Sequence, residues 1–133
     1  MKKSHFIFIL IITFLSLSFP NTGLACDCGE NTYENSFNSS ELVAIVTVRE
    51  VKGFDQFNNA VKVSPSTVLK GTETNLIPFT IYTGHNDAGC GYNFKENEKY
   101  LVFARKERLS KNMSKDVYTT TSCIKNVHIE FNK

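Results

Sequence analysis

The chain has 133 residues, and its first 25 have the make-up of a leader, so the relevant balance is struck over the 108 residues from Cys26 to Lys133, enough for one domain. The whole chain carries 15 basic and 13 acidic residues; Lys2 and Lys3 leave with the leader, so the remainder stands at 13 against 13 and is formally neutral. Such a domain has no global field to draw it to nucleic acid or anionic lipid, and 41% hydrophobic with 21% charged residues excludes disorder as its main state.

At the start of the chain, Lys2 and Lys3 precede an apolar run from Phe6 to Phe19 that Pro20 closes, and small residues lead up to Cys26. This reads as a secretory signal peptide over residues 1–25. The run is shorter than the roughly 20 residues that a helix needs to cross the hydrocarbon core, and no later segment is apolar enough to span a membrane. Gly23-Leu24-Ala25-Cys26 also shares elements with a lipoprotein cleavage box, with the usual order of Leu and small residue reversed. Two outcomes stay open: plain secretion, or lipid anchoring at the cell surface through Cys26.

All four cysteines, Cys26, Cys28, Cys90 and Cys123, follow the leader, where export would oxidise them into two disulfides. Cys26 and Cys28 are too close to bridge one another without strain, so each reaches a distant partner and two connectivities remain. Either pairing closes loops of more than 60 residues, each contributing about 4 to 5 kcal/mol on the chain-entropy account. A four-cysteine zinc site is the weaker alternative, because zinc sites usually present two C-x-x-C pairs and this chain offers one C-x-C and two isolated cysteines.

Residues 31 to 40 are polar, with Ser39 or Ser40 able to cap a turn, and read as irregular or briefly helical. Leu42, Ala44, Val46 and Val48 then share one phase of the longest strand. A polar turn from Gly53 to Asn59 follows, and Val61 and Val63 alternate with Lys62 and Ser64 until Pro65, which marks an edge or a bulge. Val68 and Leu69 resume that strand. Ile77, Phe79 and Ile81 form the third strand, Tyr100 to Ala104 the fourth and Val117 to Thr121 the fifth. Five short strands with little helix predict a mainly β domain over residues 26–133, a small five-stranded OB-type closed barrel. An immunoglobulin-like sandwich ranks second, since it wants about seven strands and a buried Trp and the chain has no Trp.

Cys26-Asp27-Cys28, Phe37 to Val43, Val68-Leu69-Lys70-Gly71, Ile81-Tyr82-Thr83, Cys90-Gly91-Tyr92 and Tyr100-Leu101-Val102 occur in this order. Together they resemble the N-terminal domain of the tissue inhibitors of metalloproteinases, within the netrin-like class, as a short single-domain member. The resemblance covers nearly all of residues 26–133. It implies a netrin-like OB barrel and the pairing Cys26 to Cys90 and Cys28 to Cys123. It further implies a metalloendopeptidase inhibitor whose partner is a zinc metalloprotease: the α-amino nitrogen and carbonyl oxygen of Cys26 would chelate the protease's zinc. Cys26, Asp27, Cys28, Gly29 and Glu30 would form the inhibitory wedge, and Ala88, Gly89, Cys90 and Gly91 its supporting loop. Asp27 stands where that family usually has Thr or Ser, and Asn38 where the animal inhibitors have a further cysteine.

The remaining motifs read as structure. His85 lies in a solvated Gly84-to-Gly91 loop, and neither it nor His128 repeats a known ligand spacing. Gly84, Gly89 and Gly91 are turn residues, since no Lys-Ser or Lys-Thr follows to make a phosphate loop. Arg105, Lys106, Arg108, Lys111 and Lys115 read as a solvated basic hairpin, and Asn38-Ser39-Ser40 and Asn112-Met113-Ser114 match glycosylation acceptors. With no set of nucleophile, base and oxyanion donor, the sequence predicts a monomeric non-enzyme with no cofactor and no metal of its own. The alternative function is a netrin-like extracellular binding module without inhibitory activity, either free or anchored at Cys26.

Overall fold

β-Branched residues dominate the longest alternating stretch, and there the chain pairs most extensively. The structure, a computed structural model, describes residues 26–72, 75–85 and 89–130; the expected signal peptide 1–25 and Ala88 of the expected supporting loop lie outside the described residues. Strands β1 (Leu42–Gly53) and β2 (Asn58–Lys70) form a long antiparallel hairpin, followed by β3 (Phe79–Gly84), β4 (Lys99–Glu107), β5 (Val117–Thr119) and β6 (Val127–Ile129); among the described residues one helix, α1 (Tyr33–Ser39), lies ahead of them.

The strand order is β1-β2-β3-β5-β4, and β4 returns to pair with β1 from Leu42↔Ala104 to Thr47↔Lys99, closing a five-stranded barrel. The one parallel step, β3 to β5, joins Ile81 to Tyr118 and Tyr82 to Thr119. The expected OB-type barrel is therefore present, with little helix and two disulfides. Closure demands bent strands. Register shifts between Val43 and Ala44, between Ile45 and Val46, and between Val48 and Glu50 supply the bend in the hairpin. Pro65 pairs with Val46 at one of them, so the strand runs through this buried proline at a bulge.

Leu42, Ala44, Val46 and Val48 are fully buried and meet Val61, Val63, Ile81 and Val102 inside the barrel. Tyr92, Phe94 and Tyr100 pack against one another, Tyr100 edge-on to the other two, with ring centroids 4.7 to 5.9 Å apart. Val43 faces outward but is also buried, because Phe103 and Ile124 cover it.

Three details differ from the sequence reading. Ile77 is exposed and precedes β3, which starts at Phe79. β5 stops at Thr119; Thr120 turns inward, and its hydroxyl donates to the Phe103 carbonyl at 2.7 Å. A sixth strand, too short for the alternation to betray it, lies along β4 from Leu101↔Val127 to Lys99↔Ile129. Between β5 and β6, Asn126 substitutes for a strand: its Oδ1 accepts from Phe103 N at 2.9 Å and its Nδ2 donates to Thr120 Oγ1 at 2.8 Å. Among the described residues, no helix is long and apolar enough to cross a membrane.

Candidate functional site

The segment before α1 has no regular structure of its own and is held by covalent and polar ties. Cys26 bridges Cys90 and Cys28 bridges Cys123, with Cα–Cα distances of 5.5 and 5.0 Å. This is the pairing that the resemblance implied, and it excludes both the crossed connectivity and a four-cysteine zinc site. Cys28 N donates to the Cys26 carbonyl at 3.1 Å, which fixes the direction of that oxygen. Cys26 is half-buried, whereas Asp27, Cys28, Gly29 and Glu30 are exposed.

Behind this segment stands a polar buttress. Asn31 Nδ2 donates to the Cys123 carbonyl, and Asn31 Oδ1 accepts from Ser36 Oγ at 3.1 Å. Ser36, fully buried, also accepts from Lys125 N at 3.2 Å through the same hydroxyl, and its carbonyl accepts from Ser40 Oγ at 2.6 Å. These bonds explain why a stretch without apolar period is helical. The N-cap is Thr32, which accepts from Asn35 N at 3.1 Å; Ser40 is the C-cap. Asn31 and Ser36 are therefore site-positioning residues that the sequence reading did not single out. Of the capping residues, the sequence reading named Ser40 but not Thr32.

The supporting loop is built on close backbone approach. A Cβ on Gly84 would lie 2.2 Å from the Gly89 carbonyl oxygen and 3.0 Å from Gly91 N. Cys90 has φ 54°, in the left-handed region that non-glycine residues rarely adopt; its carbonyl accepts from Ser122 N at 2.8 Å. Gly91 is buried, and Tyr92 N donates to Thr83 Oγ1 at 2.8 Å. Burial pushes the Tyr92 phenol up from its ordinary pKa. Gly89, Cys90 and Gly91 are thus brought against the wedge through the Cys26 bridge.

No protein-family model matches the chain, and no curated protein sequence matches it. The site's chemistry therefore rests on its own residues.

A cleft runs beside the wedge, lined by Asp27 through Asn31, by Asn35, Asn38 and Ser39 of α1, and by Arg105 and Cys123. Arg105 Nη2 donates to Ser39 Oγ at 2.9 Å, so this arginine ties β4 to the helix end. The basic hairpin is solvated as expected, with Lys106, Arg108, Lys111 and Lys115 all exposed and only Arg105 half-buried; Lys106 lies 5.1 Å over the Tyr118 ring and Arg108 pairs with Asp116 at 3.5 Å. Asn38 and Asn112, the two acceptor asparagines, are both exposed.

The histidines stand apart from the wedge. His128 pairs with Glu98 and stacks 5.0 Å from Tyr100. His85 is exposed at the tip of the β1–β2 hairpin, where its backbone N donates to the Phe57 carbonyl at 2.9 Å and its Nε2 lies 2.6 Å from the Asp55 carbonyl. Asp55 shapes that tip by accepting from Phe57 N and Asn58 N, both at 2.7 Å. Hydrogen bonds from Phe57 and Asn58 hold its carboxyl below the usual carboxylate range. Among the described residues no group of three or more His, Cys, Asp or Glu is arranged to hold a metal ion.

Proposed function

We propose that the chain is a secreted inhibitor of zinc metalloendopeptidases that acts through the α-amino group and carbonyl oxygen of Cys26. The observation that supports it most is the double anchoring of a C-x-C segment at one end of a closed barrel, Cys26 to Cys90 and Cys28 to Cys123, with Asp27 to Glu30 exposed between and beyond the bridges. Catalytic zinc keeps a coordination position open for water. An amine and the adjacent carbonyl of one residue make a five-membered chelate able to displace that water. A segment already fixed by two bridges loses little conformational freedom on binding, which favours affinity.

On this reading the chain needs no cofactor and catalyses nothing; the zinc belongs to the partner. Cleavage after Ala25 generates the amine, and Asp27 enters the protease's specificity pocket. The deciding experiment is the intact mass of the exported protein, followed by inhibition assays on a panel of zinc endopeptidases. A chain beginning at an unmodified Cys26 that inhibits at least one of them, and loses inhibition when the amine is acetylated, carries the reading. An acylated Cys26 or an extra residue before it removes the chelating amine and leaves the binding-module function in its place.

A further inference from the structure

Adjoining the supporting loop, and sharing Gly91 with it, a cavity of about 180 Å³ opens between the β1–β2 hairpin and the chain after Gly91. Its floor is apolar, with Val61 fully buried and Phe94 6% exposed. Tyr92 forms one wall, its ring centroid 4.7 Å from that of Phe94. Around the mouth stand Asn59, Asn93 and His85, with the Thr83 hydroxyl deeper in. Among the described residues lining it, none is Asp, Glu, Lys or Arg.

We propose that this cavity binds one neutral sugar ring. The volume falls below the roughly 300 to 1,000 Å³ of sites for drug-sized ligands and suits a single six-membered ring with its hydroxyls. Each hydroxyl of a sugar donates and accepts at once, and so does each carboxamide of Asn59 and Asn93. Thr83 Oγ1 already accepts from Tyr92 N, which leaves its O–H to donate. The Asp55 carbonyl can only accept, so His85 Nε2 carries the proton toward it and the neutral ring keeps Nδ1 as an acceptor. The apolar face of a pyranose would lie against Tyr92 and Phe94, an amphipathic fit that aromatic side chains commonly provide. An anionic sugar would find no cation among these groups to offset its desolvation. The site does not depend on Cys26 meeting a zinc ion.

The test is a ¹H–¹⁵N correlation titration of the oxidised protein with methyl glycosides of glucose, galactose, mannose and N-acetylglucosamine, and with glucuronate as the charged probe. Saturable shifts at the amides of Asn59, Thr83, Tyr92 and Asn93 with at least one neutral glycoside are expected, in the millimolar range and with glucuronate at least tenfold weaker. Asn93→Ala, at an exposed position, should weaken binding at least tenfold while leaving the rest of the spectrum in place; Asn59→Ala should do the same. Absence of saturable shifts with all four glycosides, equal or tighter binding of glucuronate, or undiminished affinity in both variants overturns the proposal.

Discussion

Gly84→Ala tests whether the supporting loop is as closely fitted as its geometry requires. The added methyl would lie 2.2 Å from the Gly89 carbonyl oxygen, 2.8 Å from Gly89 C and 3.0 Å from Gly91 N. All three are backbone atoms, so no side-chain rotation relieves the clash. The loop also has little room to withdraw: Cys90 is bridged to Cys26, its carbonyl holds Ser122 N, and Gly91 is buried. Overpacking that moves backbone costs about 1 to 3 kcal/mol, and these constraints put Gly84→Ala at the upper end. Reduced freedom of the unfolded chain returns about 0.4 to 1 kcal/mol, leaving a net loss of about 2 kcal/mol. Gly29→Ala is the control, since its Cβ would meet nothing within 4 Å, and it should stay within about 0.5 kcal/mol of the parent. Urea unfolding of both variants with the bridges intact gives the comparison. If Gly84→Ala unfolds at the same urea concentration as Gly29→Ala, the close approach of β3 to the Cys90 loop is not a constraint and the reasoning fails.

Other expectations concern the bridges, the wedge and the hairpin tip. Replacing Cys28 and Cys123 together by Ser opens a bridge spanning 95 residues and should cost about 4 to 5 kcal/mol in denaturant unfolding; a loss under about 1 kcal/mol would mean that the N-terminal segment is not anchored in solution. Under the proposed mechanism, Asp27→Thr should tighten inhibition of an apolar-pocket metalloprotease at least tenfold, because a carboxylate entering that pocket is stripped of water beside the protease's own catalytic carboxylate. Unchanged inhibition constants would show that residue 27 stays outside the pocket. Only the neutral amine binds zinc and α-amino groups titrate near 7.7 to 8.0, so inhibition should strengthen from pH 6 to 8.5 after correction for the protease; a flat profile rejects chelation by the amine. Asp55 has a lowered pKa, so its support of the hairpin tip is fully present above about pH 4, its unfolded range, and fades as pH falls through the lower folded value. Asp55→Asn should remove that acid sensitivity from amide exchange at Phe57 and Asn58, and an unaltered exchange profile would argue against it.

The barrel was legible where side chains alternate over many residues. Leu42 to Val48 announced a strand with one buried face, and Pro65 announced the bulge that bends its partner. What the sequence left open or missed is carried by single polar contacts. Tyr33 to Ser39 has no apolar stripe; the helix is held by Thr32 at its cap and by Ser36 reaching both Asn31 and Lys125 N. Val127 to Ile129 is too short to display a period, and its place beside β4 depends on Asn126 filling the gap after β5. At the site, spacing alone left two cysteine pairings, and the resemblance named the one that the structure contains. The function of that site remains the proposal made above.

The separation of Cys28 from Cys123 also orders events in time. During synthesis the segment from Cys26 to Asn31 is made early, but its second anchor follows 95 residues later, beyond β5. Until the last barrel strand has been made and docked, Cys28 has no nearby partner and Asn31 has no Cys123 carbonyl to hold. Residues made early are thus among the last to take their final shape, and an incomplete or misfolded chain cannot display them correctly. Quality control of this segment is in this sense written into its connectivity.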